Sequence, residues 1–148
     1  MIYADLHCDT ATEIYRRNLT NFDQDLHISA NQTNGIKKLY QCFAVFFDDT
    51  SSPPGLQYLK DCLTYFKPII ARQKNIVPIY TTEGGSVLQA NPDNVSVLKE
   101  LGIRIFGFVW NGRNALATGA YTDNTRGLST LGVECLKRLY ENEIFPDV

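Results

Sequence analysis

The sequence predicts an α/β protein built on a parallel sheet, and three observations carry that prediction. Segments with strand character alternate with segments of helical period in the order βαβαβαβα, followed by the start of one more strand; such alternation calls for parallel strands joined by helical crossovers. One strand segment, Leu39 to Phe47, is a nearly continuous apolar run, as expected of a strand covered on both faces. The 148 residues are 44% hydrophobic and 20% charged, the balance of an ordinary globular chain, and one domain is the default at this length. A parallel sheet covered on both faces is either an open doubly wound sheet or a closed (β/α)8 barrel. A complete barrel takes about 250 residues, so length by itself favours the open sheet and otherwise allows only about half a barrel.

The elements follow in order. Ile2 to His7 alternates residue types at the period of a strand, and Thr10-Ala11-Thr12-Glu13 reads as a capping box opening a helix toward Asn18. Residues 19–35 are polar and punctuated by Asn and Gly, and the apolar run from Leu39, rich in aromatic and β-branched residues, is the second strand. Ser51-Ser52-Pro53-Pro54-Gly55 signals a turn; Leu56, Leu59, Leu63, Phe66 and Ile70 then recur at helical spacing, with Pro68 expected to kink or interrupt that helix. Ile76 to Thr82 is the third strand. Asn91-Pro92 sets a capping residue before a proline at the first helical position, and Gly102 after Leu101 stops a short helix. Ile103 to Trp110 is the fourth strand, a polar loop reaches Thr130, a helix runs to about Asn142, and Ile144 to Val148 begins a fifth strand.

Composition excludes several classes of function. Against 14 Lys plus Arg stand 16 Asp plus Glu, a formal charge of -2, which argues against a phosphate-tracking surface and so against a nucleic-acid partner. No apolar run approaches the ~20 residues of a membrane span. Met1-Ile2-Tyr3-Ala4-Asp5 lacks the basic start and long apolar stretch of a secretory leader, so a cytoplasmic protein without a membrane partner is expected. The four cysteines, at 8, 42, 62 and 135, form no CxxC and no dense framework, which points to reduced thiols acting as small hydrophobes. The absence of GxGxxG and GxxxxGK loops speaks against nucleotide chemistry.

Two motifs carry chemistry. In Asp5-Leu6-His7-Cys8-Asp9-Thr10, at the end of the first strand, residues two apart point to the same side, so His7 and Asp9 project together and could chelate one cation. An imidazole nitrogen and a carboxylate oxygen suit zinc, and the C-terminal ends of parallel strands are where such folds place their chemistry. A structural reading stands beside this one: His7 hydrogen-bonded in the core and Asp9 sharing the cap of the next helix. In Thr82-Glu83-Gly84-Gly85, after the third strand, a carboxylate is followed by glycines that let backbone or ligand approach closely; the alternative is an ordinary turn with a solvated glutamate. The three side chains together form a convergent group at one end of two parallel strands. Asp48 and Asp49 read as solvated loop entry, His27 lies in a polar stretch and is not expected to be a ligand, and Trp110-Asn111-Gly112-Arg113-Asn114 is placed either to line a pocket or to form a hydrogen-bonded rim.

The ordered set DLHCDT, TEGG, WNGRNALATG and RGLSTLG, spread from Ile2 to Val148, resembles the membrane (renal-type) dipeptidase family, peptidase family M19. The resemblance implies a (β/α)8 barrel holding two zinc ions and hydrolysing dipeptides, with some members accepting dehydropeptides or D-residue substrates. By position, His7 and Asp9 resemble the HxD ligands of one zinc, and Glu83 resembles the carboxylate that bridges both, which makes it the catalytic residue of the set. In the family a metal-acidified hydroxide attacks the peptide carbonyl while one zinc polarises its oxygen. Trp110 and Asn111 fall at the substrate. Some members carry a substrate-contacting histidine after the fourth strand; Trp110 stands there, so no catalytic histidine is carried over. Pro146-Asp147-Val148 falls about where the family continues into a DxSH-like segment and later supplies two histidine ligands, an arginine and an aspartate.

The fold so implied is the N-terminal half of a (β/α)8 barrel of metal-dependent hydrolase type, with residues 1–148 forming one incomplete domain of about four βα units plus the start of a fifth strand. Two zinc ions sharing only His7, Asp9 and Glu83 would be under-coordinated, so weak or partial occupancy is expected. Unpaired strand edges and the apolar faces of Ile103 to Val109 and Ile144 to Val148 favour self-association or a complementing chain. The function expected is that of a zinc dipeptidase represented by its N-terminal portion. The alternative is a non-catalytic α/β domain that retains remnants of a metal site and binds a protein partner.

Overall fold

Five strands in the order β1-β2-β3-β4-β5, each parallel to the next, make up the sheet. The computed structural model describes residues 1–22, 25–48, 55–122 and 126–147; Asp49, the turn signal from Ser51 to Pro54, and Val148 lie outside them. In chain order the elements are β1 (Ile2–Asp5), α1 (Thr10–Arg16), β2 (Lys38–Phe46), α2 (Gly55–Ile70), β3 (Ile76–Glu83), α3 (Val95–Leu101), β4 (Ile103–Gly107), α4 (Thr130–Glu141) and β5 (Phe145–Asp147). Short 3-10 turns at Gly85–Leu88 and Pro92–Asn94 precede α3. Strand order equal to chain order is the order of a (β/α)8 barrel. The doubly wound sheet that length favours would reverse direction at a switch point, and this sheet does not. The chain is a curled half-barrel with helices on its outer side.

Register assigns each strand residue to a face. Phe46, Glu83, Gly107 and Asp147 share one inner layer, and Ala44, Thr81, Ile105 and Phe145 the layer beneath. The outer residues Leu39, Phe43, Val45 and Phe47 of and beyond β2 are buried under α2, which turns Leu59, Cys62, Leu63, Phe66 and Ile70 toward them; the Phe43 and Phe66 rings lie 4.9 Å apart. All four cysteines are free and buried, as expected of small apolar side chains. No helix among the described residues is long and apolar enough to cross a membrane.

Three local expectations are corrected. Helix α2 runs past Pro68 to Ile70, because a proline in the last turn removes only one hydrogen bond and buried Ile69 and Ile70 hold that turn in place. Thr10 does not cap α1 from outside but is its first residue, and its hydroxyl is taken up by Ile28 instead of the helix. The regular part of β4 ends at Gly107, although the Phe108 N–H still donates to the Asp147 carbonyl at 3.2 Å. The Asn91 side chain accepts from the Asp93 N–H, and α3 ends at left-handed Gly102, both as the sequence indicates.

Candidate metal centre

Beyond β1 the chain keeps pairing with β2. The Cys8 N–H donates to the Cys42 carbonyl at 3.1 Å, and the Cys8 carbonyl accepts from the Ala44 N–H at 2.9 Å. Cys8 itself is buried in the core between sheet and helices. Alternation along this extended stretch therefore sends its neighbours His7 and Asp9 the other way, onto the concave side. Burial pushes the Cys8 thiol up to about 12, so it stays a protonated plug and no nucleophile.

Glu83 closes β3, and its placement depends on the glycines after it. Gly84 has φ +103°, and a Cβ there would lie 2.3 Å from the Phe47 carbonyl oxygen; a Cβ on Gly85 would lie 2.5 Å from that of Phe108. Backbone, then, is what approaches the glycine pair. The Glu83 carbonyl accepts from the Phe47 N–H at 2.7 Å, which locks the strand end to β2.

The result is a cluster of three donor atoms. His7 Nε2 lies 3.3 Å from Glu83 Oε2 and 3.5 Å from Asp9 Oδ1. Each of the three residues offers one ligand atom within 4.8 Å of the others. Asp9 Oδ1 is buried and accepts no hydrogen bond. Burial raises the Glu83 carboxyl above the usual carboxylate range; His7 opposes this, while the negative charges of Asp9 and Asp147 add to it. Acidic oxygens of Asp9 and Glu83 are thus gathered about one imidazole, with Asp147 adding negative charge nearby. Zinc ligands at about 2.0–2.1 Å in tetrahedral array stand about 3.3 Å from one another, which is close to the spacing found around His7 Nε2. The donor set fits a divalent metal.

Trp110 lies beside the cluster, its ring edge-on to Phe46 with centroids 5.3 Å apart, and it lines two cavities of about 380 and 330 Å³ that both include His7 and Glu83. Asn111 follows in the loop, where its carbonyl accepts from the Tyr121 N–H; it lines neither cavity. Asn114 builds the loop instead, donating to the Phe108 carbonyl and accepting from the Leu116 and Ala117 N–H groups. Two residues beyond the sequence-derived set border the cluster. Asp147, at the end of β5, lines the larger cavity, and His27 approaches Asp9 with Nδ1 3.5 Å from Oδ2. Asp147 falls where the sequence meets the DxSH-like position, whereas His27 belongs to no motif of fixed spacing and only the fold brings it in.

Residues 67–148, more than half of the 148, match the membrane dipeptidase family, peptidase family M19. The chain belongs to that family. No curated protein matches it. Among solved structures, this M19 chain is similar to a metallo peptidase from Rhodobacter sphaeroides liganded with a phosphinate mimic of the dipeptide L-Ala-D-Ala. The TM-score is 0.72 at 15% identity, covering 97% of this chain and 57% of that one. Similar too are the metallo peptidase dipeptidase AC of family M19, with TM-score 0.71, 16% identity and coverage of 97% and 55%, and the probable dipeptidase PvdM from Pseudomonas aeruginosa, with TM-score 0.67, 17% identity and coverage of 86% and 41%. The M19 chain thus spans roughly half the length of the structures it resembles, and at these identities the likeness speaks for the fold.

Proposed function

We propose that this chain carries one metal site of a zinc-dependent dipeptidase, with His7, Asp9 and Glu83 as its protein ligands. The observation that carries the reading is the convergence of His7 Nε2 with two carboxylate oxygens, at 3.3 and 3.5 Å, one of them the buried Asp9 Oδ1 that accepts no hydrogen bond. One divalent cation shared by the imidazole and the two carboxylates would satisfy both acids at once. Zinc, when bound, supplies an acidified water and a Lewis acid for a peptide carbonyl.

The chain's own groups do the rest. Glu83, fixed at the end of β3 by the bond from the Phe47 N–H to its carbonyl, would present Oε2 to the cation beside His7 Nε2. Trp110 and Phe46 form an aromatic wall over the cluster, which excludes water from one side and offers an apolar surface to a dipeptide side chain. Asn111, which lines neither cavity, would serve the substrate edge indirectly, by holding the loop after Trp110 through the bond its carbonyl accepts from the Tyr121 N–H. The inner face also exposes Ile2, Leu6 and Phe145, which favours self-association or a complementing chain across that face.

Metal analysis and hydrolysis test the reading. In equilibrium dialysis against zinc the parent chain should hold a partial complement of metal and, so loaded, release free amino acids from a dipeptide, and His7→Ala should do neither. A parent that holds no more metal than His7→Ala would overturn it.

A further inference from the structure

Asp9 occupies the position just before α1, where an aspartate ordinarily turns its carboxylate back onto the amides of the first helical turn. Here it does not. Asp9 has φ -92° and ψ 12°, its side chain makes no capping bond, and Oδ1 is buried without a hydrogen-bond partner. A carboxylate released from capping needs some other restraint if it is to stay on the concave side.

That restraint comes from a distant loop. The Asp9 backbone N–H donates to Nδ1 of His27 at 3.2 Å. A ring nitrogen that accepts this bond has no proton to give to Asp9 Oδ2, 3.5 Å away, so the imidazole carries its ring proton on Nε2. His27 is itself pinned on both sides. Leu26 is buried, and the Thr10 hydroxyl accepts from the Ile28 N–H at 3.1 Å and lies 3.4 Å from the Ile28 carbonyl. Two consecutive residues at the helix start, Asp9 and Thr10, are therefore stitched to two consecutive residues of the loop, His27 and Ile28.

We propose that His27 is a positioning residue for the metal-binding carboxylate of Asp9: its Nδ1 holds the Asp9 amide, and with it the backbone angle that keeps Oδ1 facing His7. This role rests on the metal reading above. It is a supporting interaction of the kind that, when lost, typically lowers metal affinity by about 10- to 100-fold. The His27 side chain is 59% exposed, so replacing it leaves the core intact.

Side-chain geometry supplies the test. The Asn Oδ1 stands where the His Nδ1 stands and accepts the same N–H, whereas the Gln carbonyl oxygen reaches only the place of Nε2. Cobalt(II) affinity of the metal-free chain should fall by about tenfold or more in His27→Ala and His27→Gln and stay within about threefold of the parent in His27→Asn. In the same variants without metal, the Asp9 amide followed by NMR should exchange faster with solvent in His27→Ala and His27→Gln, and at the parental rate in His27→Asn. Parental cobalt affinity in His27→Ala would overturn the role of His27 while leaving the metal site standing. So would a His27→Asn chain that folds yet binds as poorly as His27→Ala. A parent that binds no cobalt would overturn the site, and this role with it.

Discussion

His7 Nε2 stands 3.3 Å from Glu83 Oε2, although His7 follows β1, Glu83 ends β3, and the whole of β2 runs between those strands. Only curvature of the sheet lets the two meet. Glu83→Gln keeps the shape of the side chain and removes its charge. It also relieves a half-buried carboxylate of repulsion from Asp9 and Asp147, so the metal-free variant should melt no lower than the parent. Its cobalt(II) affinity should fall by at least about tenfold, since a neutral amide is a poor ligand for a hard or borderline cation. Calorimetric melting and a cobalt titration read the two effects separately; a lower melting temperature with unchanged affinity would contradict the assignment.

The sequence contains a single tryptophan, and it lines two cavities that contain His7 and Glu83. Cobalt(II) is an open-shell ion that quenches an indole held close to it, so saturable quenching of Trp110 fluorescence is expected in the parent. His7→Ala should leave only the weak, linear quenching of free cobalt. Equal saturable quenching in both chains would place the bound ion elsewhere.

The alternation of strands and helices, and the convergence of His7, Asp9 and Glu83, are legible in the sequence because they rest on short-range rules. Two side chains on either side of Cys8 share a face in any extended stretch, and two glycines after Glu83 announce a close approach whatever approaches. Sheet closure is different in kind. Whether strands follow chain order or reverse depends on how helices pack over long separations, and length pointed toward the open sheet. Pro68 shows a local rule overridden, since burial of Ile69 and Ile70 carries α2 through it. His27 was illegible because its tie to Asp9 runs through Thr10 and Ile28, a pairing with no sequence period.

Gly84 is the most demanding backbone position near the site. Alanine there must adopt φ +103° and place its Cβ 2.3 Å from the Phe47 carbonyl oxygen. The left-handed backbone alone costs on the order of 1–3 kcal/mol, and relieving the clash must part the Glu83–Phe47 backbone bond. Gly84→Ala should thus lower stability by at least about 2 kcal/mol in urea unfolding, and its metal affinity should drop although no ligand has been touched. Gly112→Ala meets nothing within 4 Å and serves as the neutral control.

Alkaline pH should weaken the fold through its buried thiols. Cys62 is fully buried, and its S–H donates to the Ala11 carbonyl at 3.5 Å; burial pushes it from the ordinary 9.0 up to about 12, and Cys135 up to about 11. Below pH 9 both native and unfolded chains keep these protons, and the stabilisation is whole. Above it the unfolded chain releases them while the native chain does not, so each thiol removes up to about 1.4 kcal/mol of stability per pH unit until its native value is passed. Tyr58 and Tyr80, also raised by burial, add to the loss above pH 10. Urea midpoints should therefore be level up to pH 9 and then fall. Cys62→Ala should unfold earlier at neutral pH, because it leaves a small cavity between α1 and α2, yet lose less between pH 9 and 11 than the parent does. An alkaline limb of the same steepness in both chains would locate the responsible protons elsewhere.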